Sequence, residues 1–427
     1  MKARFLHLAD CHLGYRQYGS VVRQDDITKS FWWIMDKAVE EQVDFVVLAG
    51  DLFERRTIDP ITLDHAVTGL QKLVDAGIPC VAVEGNHELA YHRDRIGWVN
   101  YLAERELLVL LSPEFQEGEA VLSEYRDRGG SWFDPIPGVR CHGIKYMGSS
   151  LPMALRSVSK ALEEHDDRGV DFTVFVAHTS INSVFPNDKS GIGEPELGEL
   201  RQHVDYLALG HIHQPYDVDE WIYNPGSPDT NSFTESEWPH RGYYIVDINT
   251  DRSPSHKVEL CANPRREFIR LKFDVSEYES PIDLMSACRN FLDEKAQEVG
   301  EPDSVVELML RGRFQFSKST IQTEDIENEL RSRFQPLIAR VRNDALSFEY
   351  ASFVGQNQEE RMSREQLRHK VFCDLIDGDS RYNHSTEGYA SLLAEIMQLA
   401  LSGADADTLL SVMDDGHARL TNPDLVV

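Results

Sequence analysis

Seven side chains that can bind divalent metal ions follow five short apolar runs of this sequence. They are Asp10, His12, Asp51, Asn86, His178, His211 and His213. The apolar runs have the length and composition of buried β-strands, and open α/β sheets bind ligands beyond the carboxyl ends of their strands. We therefore expect the seven polar groups to converge at one edge of a sheet. There they would form a two-metal hydrolytic site with Asp51 at its centre.

The spacing of two of these segments suits metal binding. In extended backbone, residues i and i+2 point to the same side, so Asp10 and His12 can hold one ion together. The same applies to His211 and His213. Either pair alone is a weak signal, but five such segments in this order, each after an apolar run, are a strong one. Oxygen and imidazole ligands without thiolate suit manganese, iron or zinc and leave the metal open.

The charge of such a site favours an anionic substrate. Two divalent cations clamp the attacking and leaving oxygens of an in-line displacement. Among the proposed ligands only Asp10 and Asp51 are anionic, so the two cations would leave the site positive and able to attract a phosphate. The whole chain carries a net charge of −29, which argues against nucleic-acid binding through bulk charge. Any such contact must be local, at the metals and at arginine clusters, and the acidic surface reflects either a salt-rich cytoplasm or solubility alone.

Composition narrows the class of protein. A chain of 427 residues is long enough for two or three domains. Its six cysteines are scattered singly without a CxxC pair, which suits a reduced cytoplasm and argues against a disulfide framework or a structural zinc site. No run approaches the roughly 18 apolar residues of a membrane span, and the amino terminus has no signal-peptide pattern. We therefore expect a cytoplasmic protein without a membrane partner.

The order of predicted elements indicates three regions. Strands alternate with helices from the start of the chain, as in a layered α/β domain, and this domain is predicted to span residues 1–248. One of its helices should begin at Pro60 with Asp59 as N-cap. Residues 249–264 are polar and contain proline, which is typical of a linker. A small α+β domain is predicted over 265–345, and a linker followed by amphipathic helices over 346–427.

The motifs together resemble the calcineurin-like metallophosphoesterase superfamily. The matching blocks are Asp10-Cys11-His12, Gly50-Asp51-Leu52-Phe53, Gly85-Asn86-His87-Glu88, Ala177-His178 and Gly210-His211-Ile212-His213. Within it, three further blocks resemble the SbcD and meiotic-recombination-eleven nucleases of double-strand-break repair: Leu13 to Tyr18, Asn224-Pro225-Gly226-Ser227 with Glu235, and Gly242-Tyr243-Tyr244. Beyond residue 244 only the domain order is similar. The resemblance implies two mixed β-sheets flanked by helices, a small α+β capping domain and C-terminal helices.

The resemblance also implies a role for each ligand. One metal would be held by Asp10, His12, Asp51 and His213, and the second by Asp51, Asn86, His178 and His211, so that Asp51 bridges two divalent cations, with manganese the expected metal. His87 matches the catalytic histidine of the family and would stabilise or protonate the departing oxygen. Many archaeal and eukaryotic members have a histidine where this chain has Glu54. The resemblance therefore gives no second histidine for catalysis.

The leading hypothesis is a metal-dependent DNA exonuclease or endonuclease of double-strand-break repair. The resemblance implies a homodimer formed through the first helices and an SMC-like ABC ATPase of the SbcC type that binds the C-terminal helices. Candidate DNA contacts are Arg16, His92, Arg93, Arg95, Arg265 and Arg266. Two alternatives are a phosphatase or small-molecule phosphodiesterase of the same superfamily, and a catalytically inactive scaffold. The long segment after the metal domain disfavours the first, and the complete set of ligand-type side chains disfavours the second.

Overall fold

A computed structural model describes most of the chain. The described residues are 1–91, 96–165, 167–186, 188, 190–238, 240–298, 302–346, 364–377, 382–402 and 405–421. Three predicted DNA contacts, His92, Arg93 and Arg95, lie outside the described residues. Within the described residues, every helix is too short or too polar to cross a membrane.

The strands and helices are as follows. The strands are β1 Lys2–Leu8, β2 Phe45–Leu48, β3 Cys80–Ala82, β4 Val109–Leu110, β5 Glu114–Gln116, β6 Glu119–Val121, β7 Trp132–Ile136, β8 Val139–Ile144, β9 Phe172–His178, β10 Tyr206–Gly210, β11 Tyr216–Val218, β12 Ile222–Asn224, β13 Gly242–Asn249, β14 His256–Ala262, β15 Phe268–Asp274, β16 Val305–Arg311 and β17 Ile338–Asn343. The α-helices are α1 Val21–Glu40, α2 Pro60–Asp75, α3 Trp98–Glu104, α4 Leu151–Glu163, α5 Glu194–Leu200, α6 Pro281–Glu298, α7 Thr323–Phe334, α8 Arg364–Asp377, α9 Thr386–Leu401 and α10 Ala406–Thr421.

Two six-stranded mixed sheets form the first part of the chain. Their strand orders are β14-β13-β1-β2-β3-β4 and β11-β12-β10-β9-β8-β7. Strands β1 to β4 are parallel and β13 is antiparallel to β1, while β8, β9, β10 and β12 are parallel in the second sheet. The sheets face each other: the ring of Phe5 in β1 meets the ring of Tyr206 in β10 edge-on, with centroids 5.2 Å apart. This architecture confirms the predicted fold class.

Helices cover both outer faces, which explains why the strands appear as continuous apolar runs. In β2, Phe45 and Val47 pack in the core between the sheets. The intervening Val46 and Leu48 pack on the other face, together with side chains of α1, α2 and α3. Helices α4 and α5 cover the second sheet in the same way. Strands β2, β3, β9 and β10 are therefore buried on both faces, and polar residues follow at their carboxyl ends.

The predicted start of the second helix is confirmed. Asp59 is the N-cap of α2, and its carboxylate accepts a hydrogen bond from the backbone N–H of Thr62 at 2.7 Å. Pro60 occupies the first turn, where its missing N–H costs nothing. The loop that follows Asp51 is thus fixed at its far end by a capped helix.

The prediction of a linker over residues 249–264 is wrong. This segment contains β14, which pairs with β13 and forms an edge of the first sheet. Val258 and Leu260 pack against the core between the sheets, whereas Lys257 and Glu259 are exposed. This alternation is typical of a half-buried strand, and exposed charges are common on edge strands because they discourage pairing with another chain.

The remaining elements lie in the later part of the chain. Strands β15, β16 and β17 form a three-stranded sheet, and helices α6 and α7 connect these strands along the chain. The chain forms two compact units. The first consists of residues 1–271, 289–309 and 324–342, and the second of residues 272–288, 310–323 and 343–427. The domain boundaries proposed above remain predictions.

Candidate metal centre

All seven predicted ligands lie where strands of the two sheets end. Asp10 and His12 follow β1, Asp51 follows β2, Asn86 follows β3, His178 ends β9, and His211 and His213 follow β10. The β1, β2 and β3 strands are parallel, as are β9 and β10, so each sheet delivers its polar residues at one edge. The distances below show that the two sheets bring these residues together.

One group consists of Asp10, His12 and His213, whose ligand atoms all lie within 4.8 Å of one another. The Nε2 atoms of the two imidazoles are 3.0 Å apart. His12 donates its Nδ1 proton to Glu54 Oε2 at 2.9 Å, and His213 donates its Nδ1 proton to Glu235 Oε1 at 3.0 Å. Both Nε2 lone pairs therefore face the same point, which requires a proton or a cation between them.

A second group surrounds the amide of Asn86. Its Oδ1 lies 2.9 Å from His211 Nδ1 and 3.1 Å from His178 Nε2. His178 Nε2 is also 3.1 Å from Asp51 Oδ2. Because His178 Nδ1 donates to the carbonyl of Ala49 at 2.8 Å, Nε2 is the nitrogen left for a ligand. An amide oxygen, a carboxylate oxygen and an imidazole nitrogen thus converge on one position.

Asp51 connects the two groups. Its carboxylate contacts His178, and Asp51, His178 and Asp10 have ligand atoms within 4.8 Å of one another. The other oxygen, Oδ1, accepts a hydrogen bond from the backbone N–H of His87 at 2.9 Å. This position suits the bridging role proposed for Asp51.

Asp51 and His178 form a buried ion pair inside the site. Burial opposes ionisation of both partners, but each stabilises the charged form of the other. The pKa of Asp51 is held well below its usual range by His178, and the pKa of His178 is raised to about 9 by Asp51. Without metal, His178 therefore carries a proton at neutral pH. A divalent cation would take the place of this proton, as is usual when imidazole ligands bind metal.

Every histidine of the two groups is oriented by a partner on its other nitrogen. For His211 this partner is Asp188, whose Oδ2 lies 3.3 Å from Nε2. Asp188 is held in turn by the hydroxyls of Ser180 and Ser190, each at 2.7 Å. His211 thus presents Nδ1 to the centre, whereas His12, His178 and His213 present Nε2. Such partners fix the tautomer and ring orientation of metal-binding histidines, so the donor set fits two divalent cations.

The backbone is strained where it delivers these ligands. Asp10, His12, Asp51 and His211 have φ angles of 55°, 51°, 51° and 95°, in the left-handed region that non-glycine residues rarely adopt. Each such residue costs on the order of 1–3 kcal/mol and persists only when its surroundings enforce it. Four of the seven predicted ligands share this feature, which is typical of functional sites.

His87 lies beside the two groups and belongs to neither. Its ring centroid is 4.8 Å from that of His12, and its side chain is 38% exposed, against 2% for His12. Its Nδ1 donates to the backbone carbonyl of Glu54 at 2.9 Å. Within the described residues Nε2 makes no hydrogen bond, so this nitrogen is available to a substrate.

Two supporting residues, Asp188 and Glu88, were assigned no role by the sequence analysis. Asp188 has no motif around it, and only the rule that each ligand histidine needs a second partner would have pointed to it. Glu88 is buried and ties two ligand loops together, because its carboxylate accepts hydrogen bonds from the N–H groups of Phe53 and Gly85 at 2.9 and 3.1 Å. Burial, reinforced by Asp51, raises the pKa of Glu88 to about 8.

The described arginines predicted to contact DNA differ in their surroundings. Arg16 is largely exposed and donates to Gln24 at 2.8 Å. Arg266 is mostly buried and donates to both carboxylate oxygens of Asp26, at 2.6 and 3.0 Å. Arg265 is half-buried. Arg16 is therefore the most accessible of the three, and the ion pair of Arg266 gives that residue a structural role.

Gly85 is a position where a single methyl group should destroy the centre. A Cβ atom there would lie 2.1 Å from Asp51 Oδ1 and 2.5 Å from its backbone nitrogen. We expect Gly85→Ala to displace Asp51 and to lose bound metal, as measured by elemental analysis of the dialysed protein. Gly198→Ala is the matched control, since a Cβ there meets nothing within 4 Å. Normal metal content in Gly85→Ala would contradict the geometry of the Asp51 loop.

Glu54 is expected to support metal binding through His12. Removing its carboxylate in Glu54→Ala frees His12 Nδ1, and loss of such a partner typically costs about 10–100-fold in metal affinity or activity. Titration of the metal-free protein with Mn²⁺ measures the effect. The exposed Glu163, at the end of α4, gives the control Glu163→Ala. Equal affinities for the two variants would remove Glu54 from the site.

Comparison with known proteins agrees with the geometry. The model of the calcineurin-like phosphoesterase family matches residues 3–215, which include every predicted ligand.

Curated relatives extend the similarity. The chain is 28% identical over 270 residues to the DNA double-strand break repair protein Mre11 of Saccharolobus solfataricus, covering 62% of this chain and 65% of that one. It is 35% identical over 243 residues to Mre11 of Archaeoglobus fulgidus, covering 55% and 52%. It is 25% identical over 422 residues to Mre11 of Methanococcus maripaludis, covering 96% and 98%. The alignments with the first two thus span about half to two thirds of the length of those relatives.

Among solved structures, the chain is similar to the calcineurin-like phosphoesterase YfkN of Bacillus subtilis, with 13% identity, a TM-score of 0.40, and coverage of 60% of this chain and 88% of that one.

Proposed function

The chain belongs to the calcineurin-like phosphoesterase family, and from this premise we propose that it is a DNA nuclease that hydrolyses phosphodiester bonds with two divalent cations, manganese being the expected metal. The observation that carries the proposal is the pair of facing donor sets described above. In one, His12 and His213 direct their Nε2 atoms at each other from 3.0 Å. In the other, Asn86 Oδ1 and His178 Nε2 converge on a point beside Asp51 Oδ2.

The role that we propose for each residue follows from its contacts. When bound, the metals would lower the pKa of a water molecule and stabilise charge on the phosphate. Asp51 would hold both ions, with its own position fixed by the N–H of His87. His87, whose Nδ1 is fixed by a backbone carbonyl, would donate a proton from Nε2 to the departing oxygen. The histidines of the donor sets would hold metal only in their neutral form.

DNA is the proposed substrate for two reasons. The relatives cited above are named as DNA double-strand break repair proteins. The site is also open on one side: the side chains of His87, His211 and His213 are 38%, 21% and 25% exposed, while those of His12 and Asp51 are almost fully buried. An extended polymer can reach such a surface, and Arg16 is the candidate contact to its backbone. The proposed place of action is the nucleoid, in the cytoplasm.

Two protein partners are part of the proposal. An SMC-like ABC ATPase would bind the C-terminal helices, where Leu375, Leu401 and Leu410 are more than half exposed. A second copy of the chain would pack on the first helices, where Val22 of α1 and Ile61 of α2 are exposed. Exposed apolar side chains on neighbouring helices are suited to helix-mediated contacts.

A cleavage assay tests the proposal. With Mn²⁺ present, we expect the purified chain to cut single- or double-stranded DNA, and we expect a chelator to abolish the activity. The parallel substrate is a phosphoserine peptide. A protein inert on DNA but active on the peptide would make the chain a phosphatase of the same family. A protein that binds Mn²⁺ but cuts neither substrate would contradict the enzymatic proposal.

A further inference from the structure

The second compact unit contains another cluster of metal-binding side chains, unrelated to the proposed nuclease centre. His369 and Cys373 lie on α8, and Glu387 lies on α9. His369 Nε2 is 2.8 Å from Glu387 Oε1, and Cys373 Sγ is 3.5 Å from Glu387 Oε2. One ligand atom from each residue lies within 4.8 Å of the other two. Residues four apart share a helix face, so α8 presents the imidazole and the thiol together.

We propose that His369, Cys373 and Glu387 form a zinc site that joins α8 to α9, with water as the fourth ligand. Zn²⁺ takes thiolate, imidazole and carboxylate ligands at about 2.0–2.3 Å in a tetrahedral arrangement. Ligand atoms of such a tetrahedron are roughly 3.3–3.8 Å apart. The contact between Cys373 and Glu387, 3.5 Å, lies in this range, and that between His369 and Glu387, 2.8 Å, is shorter, so the imidazole and the carboxylate would move apart slightly to admit the ion.

The thiol distinguishes this cluster from the nuclease centre. Soft thiolate ligands favour zinc and similar cations, whereas a set of carboxylate, amide and imidazole donors also suits manganese. Among the described residues, Cys373 is the one cysteine found in a group of three potential ligands. The absence of a CxxC pair in the sequence therefore does not exclude a zinc site, because the third ligand comes from the next helix.

A metal at this site would stabilise the packing of α8, α9 and α10. Within the described residues, the core of these helices contains only four buried apolar side chains: Ile376, Tyr389, Ala390 and Leu392. Helices with so small a shared core gain stability from a metal, a disulfide or a partner. Hydrogen bonds alone do not meet this need, since exposed polar pairs contribute about 0–1 kcal/mol. Metal binding contributes directly to folding when the ligands come from different elements.

Cobalt titration of the full chain tests the proposal. Co²⁺ bound to a thiolate gives a charge-transfer band in the near ultraviolet, which a site of oxygen and nitrogen ligands lacks. The experiment uses the Asp51→Ala background, so that the nuclease centre contributes little. We expect one equivalent of Co²⁺ to produce the band, Zn²⁺ to displace it, and Zn²⁺ to raise the unfolding temperature of the helices.

Two variants and a control make the result specific. Cys373→Ser should lose the band and the stabilisation by Zn²⁺, and His369→Gln should weaken binding of both ions. Cys261→Ser is the control, because Cys261 is also partly exposed but belongs to no group of potential ligands. A missing band in the parent chain, or a band that persists in Cys373→Ser, would overturn the proposal. Unchanged affinity in His369→Gln would overturn it as well, and none of these results depends on nuclease activity.

Discussion

Replacement of Asp51 with alanine is expected to remove bound metal and to reduce DNA cleavage to the background rate. Asp51 is the carboxylate that contacts His178 at 3.1 Å and lies within reach of Asp10, so both donor sets lose an anionic ligand. The variant also removes the main cause of the raised pKa of His178. Elemental analysis of the dialysed protein and a Mn²⁺-dependent cleavage assay measure the two losses.

Two further variants separate loss of metal from loss of fold. Asp51→Asn keeps the size of the side chain but removes its charge, and we expect weakened rather than absent metal binding. Asp64→Ala removes an exposed carboxylate from α2 and should leave both metal content and cleavage unchanged. If Asp51→Ala retained two metals per chain, Asp51 could not be the bridging ligand.

The residues of the candidate metal centre could be predicted because a local rule places them. A strand covered by helices or by another sheet on both faces is largely apolar, so the polar residue that follows its apolar run marks its carboxyl end. Asp51 follows Phe45–Leu48 in this way, and His178 ends Phe172–His178. This rule needs only the neighbouring residues, and at five strands it points to side chains that the structure brings close together.

The pairing of ligands could not be derived in the same way. His12 and His213 are 201 residues apart, and their contact depends on how two separate sheets face each other. No residue pattern specifies that arrangement, and only the family resemblance supplied it. The partners that orient the histidine rings are even harder to predict. Asp188 lies in a loop, and its role depends on the position of His211.

The strained backbone conformations could not be predicted from the sequence either. The residue types alone do not predict left-handed φ angles at Asp10, His12 and Asp51, because non-glycine residues rarely adopt that region, although aspartate and histidine do so more often than most. Surrounding contacts enforce these angles, such as the hydrogen bonds from Asp10 N to Gly50 O and from His12 N to Asp51 O, both 3.1 Å. The first two ligand loops thus hold each other in strained conformations, which links the order of β1 and β2 to the geometry of the site.

Replacement of His87 with alanine is expected to slow DNA cleavage while leaving the metals in place. The imidazole is outside both donor sets, and its fixed Nδ1 leaves Nε2 to protonate the departing oxygen, a contribution of about 10²–10⁴-fold in rate. Single-turnover cleavage at saturating Mn²⁺, together with the metal content, measures the variant, and His240→Ala is the control at an exposed histidine. Loss of metal would make His87 a ligand, and an unchanged rate would exclude it as the proton donor. Because Asp51→Ala should lose metal and rate together, whereas His87→Ala should lose rate alone, the two variants separate assembly of the centre from its chemistry.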